Sequence, residues 1–330
     1  MASEPRVAGS PLDLIGGTPL VRLDSVSRRA GAEIWGKCEF LNPTGSVKDR
    51  PARLMVERAE AEGRLRPGGT LIEGTAGNTG IGLALVAAVR GYRCVFVIPE
   101  TMSPEKIQFA RLLGAEVQLS PQVGWDDPRH YSQVARRLEQ ELDNAVYLNQ
   151  FDNPANLDVH YLTTGPEIWE QTGGAVDAVV MGAGTGGTIS GVGRFLKERR
   201  ADVSVVLADP EGSVYRPWVE SGEPRAEGCS ILEGVGIGRV PGCFDRDVID
   251  DALTVPDQDA VDEVYRLLWD EGLFVGGSSG LSVAAAVRWA RDAGRGRRIV
   301  CNLCDSGARY RSTLFDADWL ARHGLRRPER

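Results

Sequence analysis

Lys48 lies in the segment Asn42-Pro-Thr-Gly-Ser-Val-Lys-Asp-Arg50, where residue types and spacing allow covalent chemistry. Pro43 and Gly45 favour a turn and Ser46 is a good helix N-cap, so Lys48 is expected in the first turn of a helix running on through Arg53, Val56 and Ala59. Cations ordinarily favour the C-terminal end of a helix. The N-terminal end presents free N–H groups and partial positive charge, which lower an amine's pKa and attract anions. An amine of lowered pKa beside an anion site suits a Schiff base to a phosphorylated aldehyde. The plainer alternative, for this segment alone, is a solvated lysine near a loop.

Three glycine-rich loops could supply the anion site. Gly182-Ala-Gly-Thr-Gly-Gly187 follows the apolar run 178–181 and opens a helix at Thr188, so its backbone N–H groups and the Thr185 and Thr188 hydroxyls could cradle a phosphate. It also satisfies the dinucleotide pattern G-x-G-x-x-G, with Asp209 lying 22 residues beyond Gly187, which leaves a dinucleotide and another phosphate both open. Gly74-Thr-Ala-Gly-Asn-Thr-Gly80 opens another helix and offers N–H groups, hydroxyls and an amide, a set that suits a carboxylate. Gly276-Gly-Ser-Ser-Gly280 is read as ending a strand and starting a helix, and a tight turn explains it as well as function does.

These loops must be held by strands and helices in alternation. Thr70–Glu73, Cys94–Ile98 and Glu116–Leu119 read as strands, with helices over 78–90 and 103–113; a second series has strands at 178–181, 204–207 and 299–303 and helices beginning near Thr188, Asp257 and Leu281. Two α/β sheets with a cleft between them follow. The segments 121–129 and 210–245 read as loops, the latter long enough to serve as a cover. With 330 residues the chain has room for about two domains. Its 42% apolar and 25% charged residues are those of a soluble globular protein.

A formal charge of −8 argues against nucleic acid or an anionic membrane as a partner. The longest apolar run, Ile81 to Val89, is interrupted by Gly82 and far shorter than the ~20 residues of a membrane span, and the N-terminus has no secretory pattern, so a cytoplasmic enzyme is expected. Cys301 and Cys304 form the one CxxC of six cysteines, but on a strand positions three apart face opposite sides, which favours separate burial. His130, His160 and His323 lack metal-ligand spacing, so no metal is expected, and His160 reads as a structural or surface residue and not as a catalytic base.

The lysine segment, Thr75-Ala-Gly-Asn-Thr-Gly-Ile-Gly82, Gly184-Thr-Gly-Gly-Thr188 and Gly276-Gly-Ser-Ser-Gly280, in this order, resemble the pyridoxal-phosphate enzymes of fold type II. Within them the chain is most similar to the cysteine synthase (O-acetylserine sulfhydrylase) and cystathionine β-synthase group, and agreement runs from Gly16-Gly-Thr-Pro-Leu20 to Asp305-Ser-Gly-Ala-Arg-Tyr310. The resemblance implies two three-layer α/β domains with mainly parallel sheets, tryptophan synthase β-like. Residues 1–45 would form an N-terminal segment packed largely with the C-terminal domain, 46–155 the smaller domain with the substrate loop, and 156–330 the larger domain with the phosphate loop.

By that resemblance Lys48 would carry pyridoxal 5'-phosphate, Asn78 would bond its ring hydroxyl, Gly184, Thr185, Gly186, Gly187 and Thr188 would hold its phosphate, and Ser278 would face its pyridine nitrogen. Thr75, Ala76, Asn78, Thr79 and Gln150 would surround the substrate carboxylate, with Glu233 and Gly234 at the mouth of the cleft. An NAD site would leave Lys48, Asn78 and Ser278 without a task. The neutral Ser278 hydroxyl makes the ring a weaker electron sink, which disfavours transamination and leaves β-elimination through an aminoacrylate, with Lys48 as general base. The reaction implied is O-acetylserine plus sulfide to cysteine plus acetate; the alternative is the same replacement with a thiol such as homocysteine, or an amine. A homodimer, and a serine acetyltransferase as possible partner, are implied likewise. Many relatives carry serine where Ala76 stands, which removes a hydroxyl donor while leaving the backbone N–H. Arg239, in Gly238-Arg-Val-Pro, is a candidate contact for an anionic substrate, with plain solvation as the alternative.

Overall fold

The computed structural model describes residues 7–75, 77–294 and 296–330, and among these the chain builds two sheets. The strands are β1 (Leu20–Arg22), β2 (Glu33–Cys38), β3 (Thr70–Gly74), β4 (Arg93–Pro99), β5 (Glu116–Ser120), β6 (Ala145–Tyr147), β7 (Ala178–Gly182), β8 (Ser204–Pro210), β9 (Asp251–Val255) and β10 (Arg298–Leu303). The larger sheet has the order β1-β2-β10-β7-β8-β9, and the smaller β5-β4-β3-β6. Only β1 with β2 is antiparallel; every other pairing is parallel. Parallel strands covered by helices on both faces need apolar residues at nearly every position, which is the pattern of Leu71-Ile72, Val179-Val180-Met181 and Val205-Val206-Leu207, all buried. The α/β class with two mainly parallel sheets is as expected.

Several elements depart from the sequence-based expectation. β1, β2, β6 and β9 carry too little sequence signal: β1 and β6 are three residues long, and the side-chain pattern of β2 is broken by Gly36, where a Cβ would meet Leu303 Cδ1 at 2.5 Å. The 210–245 segment contains a helix, Tyr215–Ser221. The helix expected near Leu281 begins at Gly277, and no strand precedes it, only an isolated bridge between Val275 and Ser306. Ser279 does not delay that helix, because its hydroxyl accepts the Cys304 N–H at 3.0 Å.

Buried charge locks the parts together. Arg50, 2% exposed, bonds Glu39 through Nε at 2.8 Å and Glu167 through Nη1 at 2.7 Å, while Lys37 reaches the other Glu167 oxygen at 2.6 Å. Three segments converge there: 37–39, the helix after Lys48, and the region of Glu167, which lies 117 residues beyond Arg50. The C-terminal ends of β3, β7 and β10 open on one cleft, the usual place for ligands in such sheets.

Candidate active site

Lys48 immediately precedes the helix Asp49–Ala61, at its N-cap position and not within its first turn. Asp49 moves the start: its carboxylate accepts the Thr44 N–H at 2.7 Å and bonds the Thr44 hydroxyl, closing the turn ahead of the lysine. The loop is pinned to the exit of β10, where Val47 N–H donates to Cys304 C=O at 2.8 Å and Ser306 N–H to Gly45 C=O at 3.1 Å. Among the described residues the Lys48 Nζ has no hydrogen-bond or ion-pair partner, and its side chain lines the cleft. Burial lowers its pKa, Cys304 and Asp305 oppose that, and Lys106 adds to it.

The cleft brings together Lys48, Thr75, Asn78, Thr79, Gln150, Gly184, Thr185, Gly186, Thr188, Glu233, Gly234 and Ser278. Gly187 is set back from it against Asn156, and Ala76 lies outside the described residues. Thr79 Oγ1 donates to Gln150 Oε1 at 2.5 Å and Gln150 Nε2 donates to Gly74 C=O at 3.0 Å, so the two side chains form one wall at the start of the helix Asn78–Arg90. That helix has no side-chain cap, leaving its first N–H groups for a carboxylate.

The second wall is the loop between β7 and the 13-residue helix Gly187–Arg199, also without a side-chain cap. Here glycine is required: a Cβ on Gly184 would meet Gly234 O at 2.3 Å, and Gly186 has φ +84° with Phe244 Cβ at 2.6 Å from its would-be Cβ. Asn156 Nδ2 donates to Thr185 Oγ1 at 2.9 Å, and the Thr188 hydroxyl sits 3.1 Å from His160 Nε2. A helix N-terminus, two hydroxyls and backbone shaped for close approach fit a phosphate, and an amine with no partner fits an aldehyde. This donor set fits pyridoxal phosphate.

Several residues of the site gave no sequence signal. Lys106 lines the cleft, 1% exposed, with Nζ 2.7 Å from Glu233 and 4.4 Å from the Tyr310 ring centre. Asn302, Cys304 and Asp305 form its floor, and burial pushes the Cys304 thiol up to about 12. Tyr215, hidden in the segment read as a loop, donates to Gly184 C=O at 2.7 Å. Glu73 accepts the Gln150 N–H at 3.2 Å, and burial raises its pKa well above the carboxylate range. His160 is buried, not at the surface, and its contact with Thr188 ties it to the site. Arg239 is neither merely solvated nor free for a substrate anion: both its Nη atoms hold Asp152, at 3.0 and 2.9 Å, and its guanidinium lies 4.1 Å from the Trp125 ring centre.

Residues 11–305 match the family described as "Pyridoxal-phosphate dependent enzyme". The chain is 50% identical to cysteine synthase 1 of Neurospora crassa over 94% of its own length and 84% of the relative's. It is 43% identical to a cystathionine beta-synthase of Apis mellifera, over 96% of this chain and 63% of that one. Among solved structures, a hydrogen sulfide-producing enzyme from Fusobacterium nucleatum superposes with a TM-score of 0.85 at 36% identity, covering 92% of this chain and all of the other.

Proposed function

The chain belongs to the pyridoxal-phosphate dependent enzymes, and we propose on that premise that it is a cysteine synthase, converting O-acetylserine and sulfide to cysteine and acetate. The observation that carries this reading is Lys48: an amine without a hydrogen-bond partner among the described residues, its pKa lowered by burial, between a phosphate-shaped loop and a carboxylate-shaped loop. Lys48 would hold the cofactor through its aldehyde, Gly184–Thr188 its phosphate, Asn78 its ring hydroxyl and Ser278 its ring nitrogen. The cofactor, when bound, supplies an electron sink for bonds at the α-carbon of an amino acid. Thr75, Thr79 and Gln150, all at most 4% exposed, orient the substrate carboxylate away from bulk water. The Lys48 Nζ, whose pKa burial lowers, takes the α-proton as acetate leaves and returns it to the α-carbon once sulfide has added at the β-carbon.

A thiol nucleophile larger than sulfide is the second reading, favoured by the wide mouth between Trp125, Phe151 and Ile237 that leads into the cleft. The chain's likeness to a cystathionine beta-synthase supports it as well. We also propose that the protein acts as a homodimer and that a serine acetyltransferase is a possible partner. No described helix is long and apolar enough to cross a membrane, and a cytoplasmic location belongs to the same proposal.

Turnover of serine, O-acetylserine and O-phosphoserine against sulfide, homocysteine and amines tests the reading. O-Acetylserine with sulfide is expected to be fastest, and Lys48→Ala is expected to lower kcat by at least about 10³-fold with loss of the visible cofactor band. Normal turnover by that variant would end the proposal.

A further inference from the structure

The Asn78 side-chain amide has two ends of nearly the same shape, one donor and one acceptor, and its surroundings leave no freedom in which end goes where. Arg309, 5% exposed, donates from Nη1 to Asn78 Oδ1 and from Nη2 to Thr44 C=O. A guanidinium offers donors alone, so it selects the carbonyl end of the amide. Asp305, 1% exposed, accepts from Asn78 Nδ2 at 2.7 Å and from Tyr310 Oη at 2.6 Å through the same oxygen. An ionised carboxylate offers acceptors alone, so it selects the NH₂ end. Both residues come from the segment after β10, whereas Asn78 starts the helix after β3; the amide is clamped from across the cleft.

We propose that Asp305 and Arg309 act as a pair of positioning residues that fix the Asn78 amide with its NH₂ group, and so its second N–H, toward the cleft. Neither is placed on the reacting atoms: both act through Asn78, and the Asp305 charge also favours protonated Lys48. Through Thr44, Arg309 also tethers the turn that carries Lys48, so one side chain sets the lysine and the amide in register. The consequence is a guaranteed donor for the anionic oxygen of the cofactor ring. This inference rests on the role proposed for Asn78.

Exchanging donor and acceptor separates positioning from simple packing. In the double variant Asn78→Asp with Asp305→Asn, residue 78 still accepts from Arg309 and still hydrogen-bonds residue 305, and net charge is unchanged, but no donor faces the cleft. We expect its melting temperature to return close to wild type from the losses of the two single variants. Its dissociation constant for pyridoxal phosphate should stay about tenfold or more above wild type, with a shifted visible absorption maximum and an altered pH titration of that band. Arg309→Gln should weaken cofactor binding similarly and shift the same band, and Arg309→Lys, which keeps a donor-only head group, should restore the band. A double variant that regains both stability and the wild-type spectrum would overturn the proposal, as would one that fails to regain stability, since the pairing would then be misassigned. Wild-type protein that develops no visible band with pyridoxal phosphate would instead overturn the proposed function.

Discussion

A lysine becomes useful as a base when its charged form is made costly, and the surroundings of Lys48 do this in two ways. Burial comes first, and the neighbouring ammonium of Lys106 adds to it, against the opposing pull of Cys304 and Asp305. Lys106→Met removes that cation and frees the Glu233 carboxylate, both of which favour protonated Lys48. The acid limb of the kcat profile is therefore expected to move to higher pH; an unmoved limb would dissociate Lys106 from the base. Ser278, 5% exposed in the cleft, is the other residue whose chemistry is decided by type. A carboxylate at that position would favour a protonated, more electron-withdrawing ring. Ser278→Asp should raise racemised and transaminated products from trace to a measurable share, read by chiral chromatography, and an unchanged product ratio would contradict the role given to Ser278.

Loops at the ends of strands build the site, and their glycines are spatial requirements. Gly184→Ala would drive a methyl group into Gly234 O, a backbone atom that cannot swing aside as a flexible side chain can. Cofactor affinity measured by equilibrium dialysis is expected to fall by at least about tenfold, from displacement of the Gly184–Thr188 loop alone. The same requirement is why these loops were legible: apolar strand, glycines with hydroxyls, then a helix, written over a dozen residues. The helix Tyr215–Ser221 was not legible, because seven residues containing Pro217 in a glycine- and charge-rich stretch carry no period. β2 was hidden by Gly36, and the start of the helix Gly277–Ala293 by its glycines and by Ser279, whose hydroxyl bonds Cys304. Pairs such as Lys106 with Glu233, 127 residues apart, follow only from the chain path.

At the scale of the molecule, the ion cluster of Arg50, Glu39, Glu167 and Lys37 ties the N-terminal strands to the helix after Lys48 and to the helix Gly165–Gln171. Burial alone would raise the Glu167 carboxyl, yet the hydrogen bonds and charges of Arg50 and Lys37 outweigh it and hold its pKa at about 2. Glu39→Ala leaves a buried guanidinium short of a partner and should cost about 3–5 kcal/mol in denaturant unfolding. The four lysines are Lys37, Lys48, Lys106 and Lys197, and of these only Lys48 and Lys106 reach the cleft. Borohydride reduction of the cofactor-loaded protein followed by peptide mass mapping therefore discriminates sharply. A single pyridoxyl group on the peptide containing Lys48 is the predicted result, and a group on Lys106, or on no lysine, would contradict the account.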